Sequence, residues 1–129
     1  MTFDAIGIAG TGLTLHRKWL DAISDNLANA NNATRTSDAA FQARYIVAQA
    51  GEGTSGAYVA GVAYGDAQGV IVNDPNNPLA DADGNVRYPD VDMGEQMGEL
   101  IMAQRGYQAN AAVVDRAKTT YEAALQIGR

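Results

Sequence analysis

The sequence predicts a mainly α-helical chain, in which two long terminal helices pair as a coiled-coil-like layer around a small, loop-rich middle with a β-hairpin. Three observations predict it. Apolar residues at both ends recur at alternating steps of three and four, the first such run stops in a cluster of asparagines, and turn-forming residues concentrate in between. The implied segments are 1–32 for an N-terminal helix, 33–91 for a middle region with short strands, and 92–129 for a C-terminal helix.

In the first segment Ile6, Ala9, Leu13, His16, Leu20, Ile23, Leu27 and Ala30 form a heptad seam that only His16 interrupts. A second stripe of Ile8, Leu15, Trp19 and Ala22 lies on roughly the opposite side, so this helix is expected to make contacts on both faces. The run ISDNLANANN, residues 23–32, holds Asn26, Asn29, Asn31 and Asn32. Asparagine amides compete for the backbone, so the cluster marks a helix end, and a helix from Thr2 to Asn29 would be about 40 Å long.

In the middle, Gln42–Gln49 and Ala57–Tyr64 are β-like runs joined by GEGTSG, and Gly69–Val72 suggests a third short strand. The run NDPNNPLADADGN, rich in Pro, Asp, Asn and Gly, reads as loop. Asp92 followed by Glu95 resembles a capping box, opening a second helix that runs to Ile127, about 50 Å. Its large stripe is Met93, Met97, Leu100, Tyr107, Ala111, Val114, Tyr121 and Leu125, broken by Gln104 and Lys118. A second stripe of mostly small residues, Gly106, Ala109, Val113, Ala117, Thr120 and Ala124, would let another helix come close.

The core such a chain can build is thin. Alanine supplies 24 of the 129 residues, whereas Ile, Leu, Val and Phe together number 25, about 19% and just under the level associated with disorder. There is no cysteine and one histidine, which removes disulfides and leaves only carboxylates for metal. Self-association or a partner is the expected remedy, with mobile ends in the isolated monomer that become helical on packing. The net charge of −6 and a pI near 4.5 argue against nucleic acid or an anionic membrane. Acids concentrate in 33–91, against only Arg35, Arg44 and Arg87 there. No apolar run reaches membrane-spanning length, and MTFDAIGIAG lacks the basic, then apolar, pattern of a secretory signal, so any export is expected by another route.

Three motifs invite chemistry. GIAGTG, residues 7–12, resembles a phosphate loop, but such a loop needs a preceding buried strand and only six residues come before Gly7; the glycines read as close-approach positions. DADGN, residues 81–85, resembles part of a calcium loop, yet Leu79 and Asp90 fall where the first and last carboxylate ligands belong, so a β-turn is expected. His16 has no nucleophile arrangement beside it, Arg17 and Lys18 read as a solvated face, and Met93, Met97 and Met102 as helix filling. No catalytic residue, cofactor or metal site is expected.

LDAISDNLANANNATRT, residues 20–36, resembles the N-terminal signature of the rod and hook family of bacterial flagellar axial proteins, through Ile23, Asn26, Leu27, Ala28, Asn29, Ala30 and Asn31. The tail from Gly94 is similar to that family's C-terminal helix in its Met97, Ala103, Gln104, Arg105, Tyr107, Ala109 and Asn110 pattern. The short length, the DPNNPLADADGNVRYPDVD middle and the NNATRT helix ending resemble the proximal rod type. Two departures are Asp25, where the family often has Ser, and Gly106, where Ala or Ser is usual; glycine in mid-helix costs about 0.5–1 kcal/mol relative to alanine, so the second helix is expected to be softer there.

The resemblance implies a structural subunit of the flagellar rod, assembling helically around the export channel and transmitting torque, with the terminal helices as its inner layer. It implies partners in further copies of the chain, other proximal and distal rod subunits, a rod-base adaptor of the FliE type, and the type III export apparatus. It also implies location in the basal body within the cell envelope, reached without a cleaved signal. The interface set is then Ile6, Leu13, Leu15, Trp19, Leu20, Ile23, Asn26, Leu27, Asn29 and Asn31 in the first helix. In the second it is Met97, Leu100, Gln104, Arg105, Tyr107, Asn110, Val113, Val114, Tyr121 and Leu125. Asn26, Asn29 and Asn31 are expected to fix the chain's exit from the helix and to tie subunits together; local capping is the competing reading. Two alternatives stay open: an export or assembly factor that binds axial subunits, and a nucleotide-binding enzyme built on GIAGTG.

Overall fold

Helices account for about half of the chain in a computed structural model, which describes residues 2–128. Helix α1 spans Thr2–Asn29 and α2 spans Met93–Ile127. Between them lie β1 (Arg44–Ala50), β2 (Ala57–Tyr64), β3 (Val70–Asn73) and β4 (Asn85–Tyr88), forming the two-stranded sheets β1-β2 and β3-β4. The expected mainly α architecture with a small strand-bearing middle is what the chain adopts. No described helix is long and apolar enough to cross a membrane.

The helix ends follow from their residues. Asn29 turns its side-chain amide back to the Asp25 carbonyl at 2.9 Å, and Asn32 N–H reaches the Asn29 carbonyl at 3.0 Å. The second bond gives a last-turn carbonyl the partner a helix end otherwise lacks, while the first is a side chain bonding back to a carbonyl of its own helix. At the start of α2 the Asp92 carboxylate accepts from Glu95 N–H at 3.0 Å, the N-cap bond expected of that spacing.

The chain divides into two compact units. One comprises the chain up to Leu20, Ile46–Gly61 and the chain from Leu100; the other comprises Asp21–Tyr45 and Val62–Glu99. In the first, Thr11 links α1 to the start of β2: its hydroxyl donates to the Ile8 carbonyl at 2.7 Å and accepts from Ala57 N–H at 3.1 Å. In the second, β3 and β4 pair antiparallel from Val70↔Tyr88 to Asn73↔Asn85. The following bridge to Thr34 exchanges two backbone bonds with Arg87, at 2.8 and 2.9 Å.

One element differs from the sequence reading. Strand β4 was absent from it, because polar Asn85 and Arg87 interleave its short run, whose Val86 is fully buried. The DADGN stretch is the turn that delivers this strand: Asp81 accepts from Asp83 and Asn85 N–H at 3.0 and 2.9 Å, and Gly84 takes the positive φ of 80° that the turn requires. The buried apolar residues are Ala9, Ala22, Ile23, Ala30, Ala40, Ala43, Val86 and Ala103, mostly alanine, so close backbone approach rather than bulk builds this core.

Candidate functional site

Asn26 occupies the last turns of α1, off the heptad seam but buried beside Ile23, which lies one turn before it. It is 1% exposed and makes three bonds: the Nδ2 donates to the Arg44 carbonyl and to Gln96 Oε1, both at 2.9 Å, while the Oδ1 accepts from Arg44 N–H at 2.8 Å. The side chain thus pairs with the backbone of β1 as a neighbouring strand would, and Gln96, also 1% exposed, ties in α2. Asp25 pairs with the Arg44 guanidinium on the outside of the same node. Burial first, and then the negative charges of Glu95, Glu99 and Asp90, hold the Tyr45 hydroxyl above its ordinary pKa.

Arg87 is a second node in this unit. Its guanidinium donates to the Thr36 carbonyl at 2.7 Å and to the Gln68 carbonyl, stapling the β3-β4 hairpin to the chain leaving α1. Thr36 in turn donates to Asp81 at 2.9 Å.

In the other unit α1 and α2 run antiparallel and meet through glycines. His16 Nδ1 donates to the Gly12 carbonyl at 2.7 Å, which places the imidazole over Gly106 of α2. Asn110 Nδ2 donates to the Gly106 carbonyl at 2.8 Å, which places its amide over Gly12 of α1. The Trp19 ring lies against His16, centroids 6.0 Å apart, and Phe3 meets Tyr121 edge to face at 5.1 Å. The softness expected at Gly106 has a structural return: a side chain there would collide with His16.

The expected interface residues separate into two groups. Ile23 and Asn26 are buried within the chain, and Ile6, Leu13, Leu15, Trp19, Leu20, Leu27, Asn29, Leu100, Asn110 and Val114 are half-buried. Asn31, Met97, Gln104, Arg105, Tyr107, Val113, Tyr121 and Leu125 are exposed. Asn26 has both its amide hydrogens and its oxygen bonded inside the chain and is 1% exposed, so within the chain it acts as an internal tie. The Asn29 side chain bonds back to its own helix.

The packed face of α2 is also rotated from the one the large apolar stripe suggests. Gln96, Ala103, Gly106, Asn110 and Ala117 point inward, while Met97 (48% exposed), Tyr107 and Leu125 (53%) point out. Sequence reading missed Gln96 and Arg44 entirely, because a lone glutamine on a helix and an arginine opening a strand carry no periodic signal. Gly12 and Asn110 were noticed separately; only their facing positions make them a pair.

Residues 82–127 match the family model described as flagellar basal body rod FlgEFG protein C-terminal. Over 126 residues the chain is 36% identical to the flagellar basal-body rod protein FlgC of Salmonella typhimurium, covering 95% of this chain and 94% of that protein. It is 29% identical to the FlgC of Borreliella burgdorferi and 26% identical to that of Bacillus subtilis, covering 97% and 98% of this chain and 96% and 98% of those proteins.

Proposed function

The chain belongs to the flagellar basal-body rod protein FlgC family, a structural component of the rod, and we propose that it serves in the proximal part of that rod. There it assembles helically around the export channel, with segments 1–32 and 92–129 as the axial layer and 33–91 outside it. Its neighbours are further copies, other axial subunits and a rod-base adaptor of the FliE type. It reaches this place in the cell envelope through the flagellar type III export apparatus, without cleavage of a signal.

One observation carries the assembly reading. Met97, Tyr107 and Leu125 stand exposed along α2, a helix whose inward face is already filled by small and amide side chains. Large apolar side chains aligned on one element and left in water mark an interaction surface. A helix covered on one side by its own chain and on the other by neighbours would also carry torque between subunits.

The test is recovery. Basal bodies purified from the organism that encodes the chain contain it in stoichiometric amounts, and a deletion strain assembles no rod beyond the base. Purified rods lacking the chain, with subunit export impaired instead, would assign it an accessory role in export.

A further inference from the structure

We infer that His16 and Asn110 are reciprocal polar knobs seated in glycine holes, and that this pair sets the register in which α1 and α2 associate. The imidazole of His16 rests on Gly106, and the Asn110 amide rests on Gly12. A Cβ added at Gly12 would lie 2.5–2.8 Å from the three amide atoms of Asn110, well inside van der Waals contact. Each knob is held upright by a bond to its own helix: His16 to the Gly12 carbonyl at 2.7 Å, Asn110 to the Gly106 carbonyl at 2.8 Å. Each helix therefore carries one knob and one hole four residues apart, so the two match only when antiparallel and in this alignment.

The neighbouring heptad sites exclude the alternatives. A slip of one heptad would bring His16 opposite Glu99 or Val113, and Asn110 opposite Ala5 or Trp19, none of which is glycine. The knob would then meet a side chain, and a seven-residue slip moves the partners by about 10 Å. The buried alanines of this unit, Ala9 and Ala103, fit almost any alignment, so the polar pair supplies the directional information they lack. Single buried polar residues fix register in coiled coils in the same manner. The inference concerns the isolated chain and stands apart from rod assembly.

Unfolding of the full chain, followed by circular dichroism, tests the hole. Alanine is the better helix former, so Gly106→Ala raises the thermal midpoint wherever nothing opposes it. The expected result is a fall in the wild-type background and a rise in the His16→Ala background. A rise in both, or a fall in both, overturns the pairing. Register is read separately by joining Phe3→Cys and Tyr121→Cys with a short bis-maleimide; the chain has no other thiol. The parent gives the intramolecular product, and adding His16→Ala with Asn110→Ala reduces its yield at unchanged helix content. No product from the parent, or an undiminished yield in the variant, overturns the register role.

Discussion

Asn26 and Gln96, seventy positions apart in the sequence, share a buried side-chain hydrogen bond of 2.9 Å that joins the end of the first helix to the start of the second. The same Asn26 amide holds both backbone groups of Arg44, so one side chain fixes three elements: α1, β1 and α2. An apolar core of alanines gives little directional information, and this node supplies it.

Replacing Asn26 by alanine orphans the Arg44 backbone pair and the Gln96 oxygen together. Each buried partner left unpaired costs about 1–3 kcal/mol, so Asn26→Ala is expected to lower stability by about 3 kcal/mol or more in urea unfolding. Asn26→Asp puts a carboxylate against two acceptor oxygens; its loss is expected to shrink on acidification, as the carboxyl regains a donor.

Asp81 predicts an acid limb. The Asn85 N–H first, and then the Thr36 hydroxyl, hold its carboxyl below the ordinary carboxylate pKa in the folded chain. The resulting stability is present above the unfolded pKa and is lost as pH falls through the folded one. Asp81→Asn keeps an oxygen for the turn and removes the titration, so the urea midpoint of this variant depends less on pH in the acid range.

The exposed stripe of α2 separates folding from assembly. Met97→Glu and Leu125→Glu alter surface positions away from any bond network and are expected to change monomer stability by only about 0.5 kcal/mol. Rod incorporation, measured by fractionation of basal bodies, is expected to fail in both, because a charge would then be buried against the neighbour.

The last turns of α2 should open first. Every described residue from Lys118 onward is exposed, whereas Ala103 and Gln96 are fully covered. Hydrogen exchange on the monomer is expected to be fast over 118–127 and slowest near 96–103, and the tail to gain protection on assembly.

Much of this was legible in the sequence, and the rest had physical reasons to hide. The heptad seam and the asparagine run located Thr2–Asn29, and Asp92 with Glu95 located the second helix start. Periodicity found two stripes on α2 without saying which one the chain's own α1 takes. It weights large side chains, and here Met97 and Tyr107 stay outside while Ala103 and Gly106 admit the partner backbone. A chain that packs against neighbours carries two apolar faces, and its own sequence does not say which belongs to whom. Strand β4 escaped because Asn85 and Arg87 flank its buried valine, and Asn26 was expected to tie subunits together because an amide near a helix end can cap a backbone group and still offer a donor and an acceptor.

The measurement that tests the account most directly is cryo-electron microscopy of purified basal bodies at side-chain resolution. The account predicts this chain in the axial density, with Met97, Tyr107, Tyr121 and Leu125 covered by neighbouring subunits and Asn26 still bonded to Arg44 and Gln96 of its own chain. A rod without this chain, or one in which that stripe of α2 faces solvent, would contradict it.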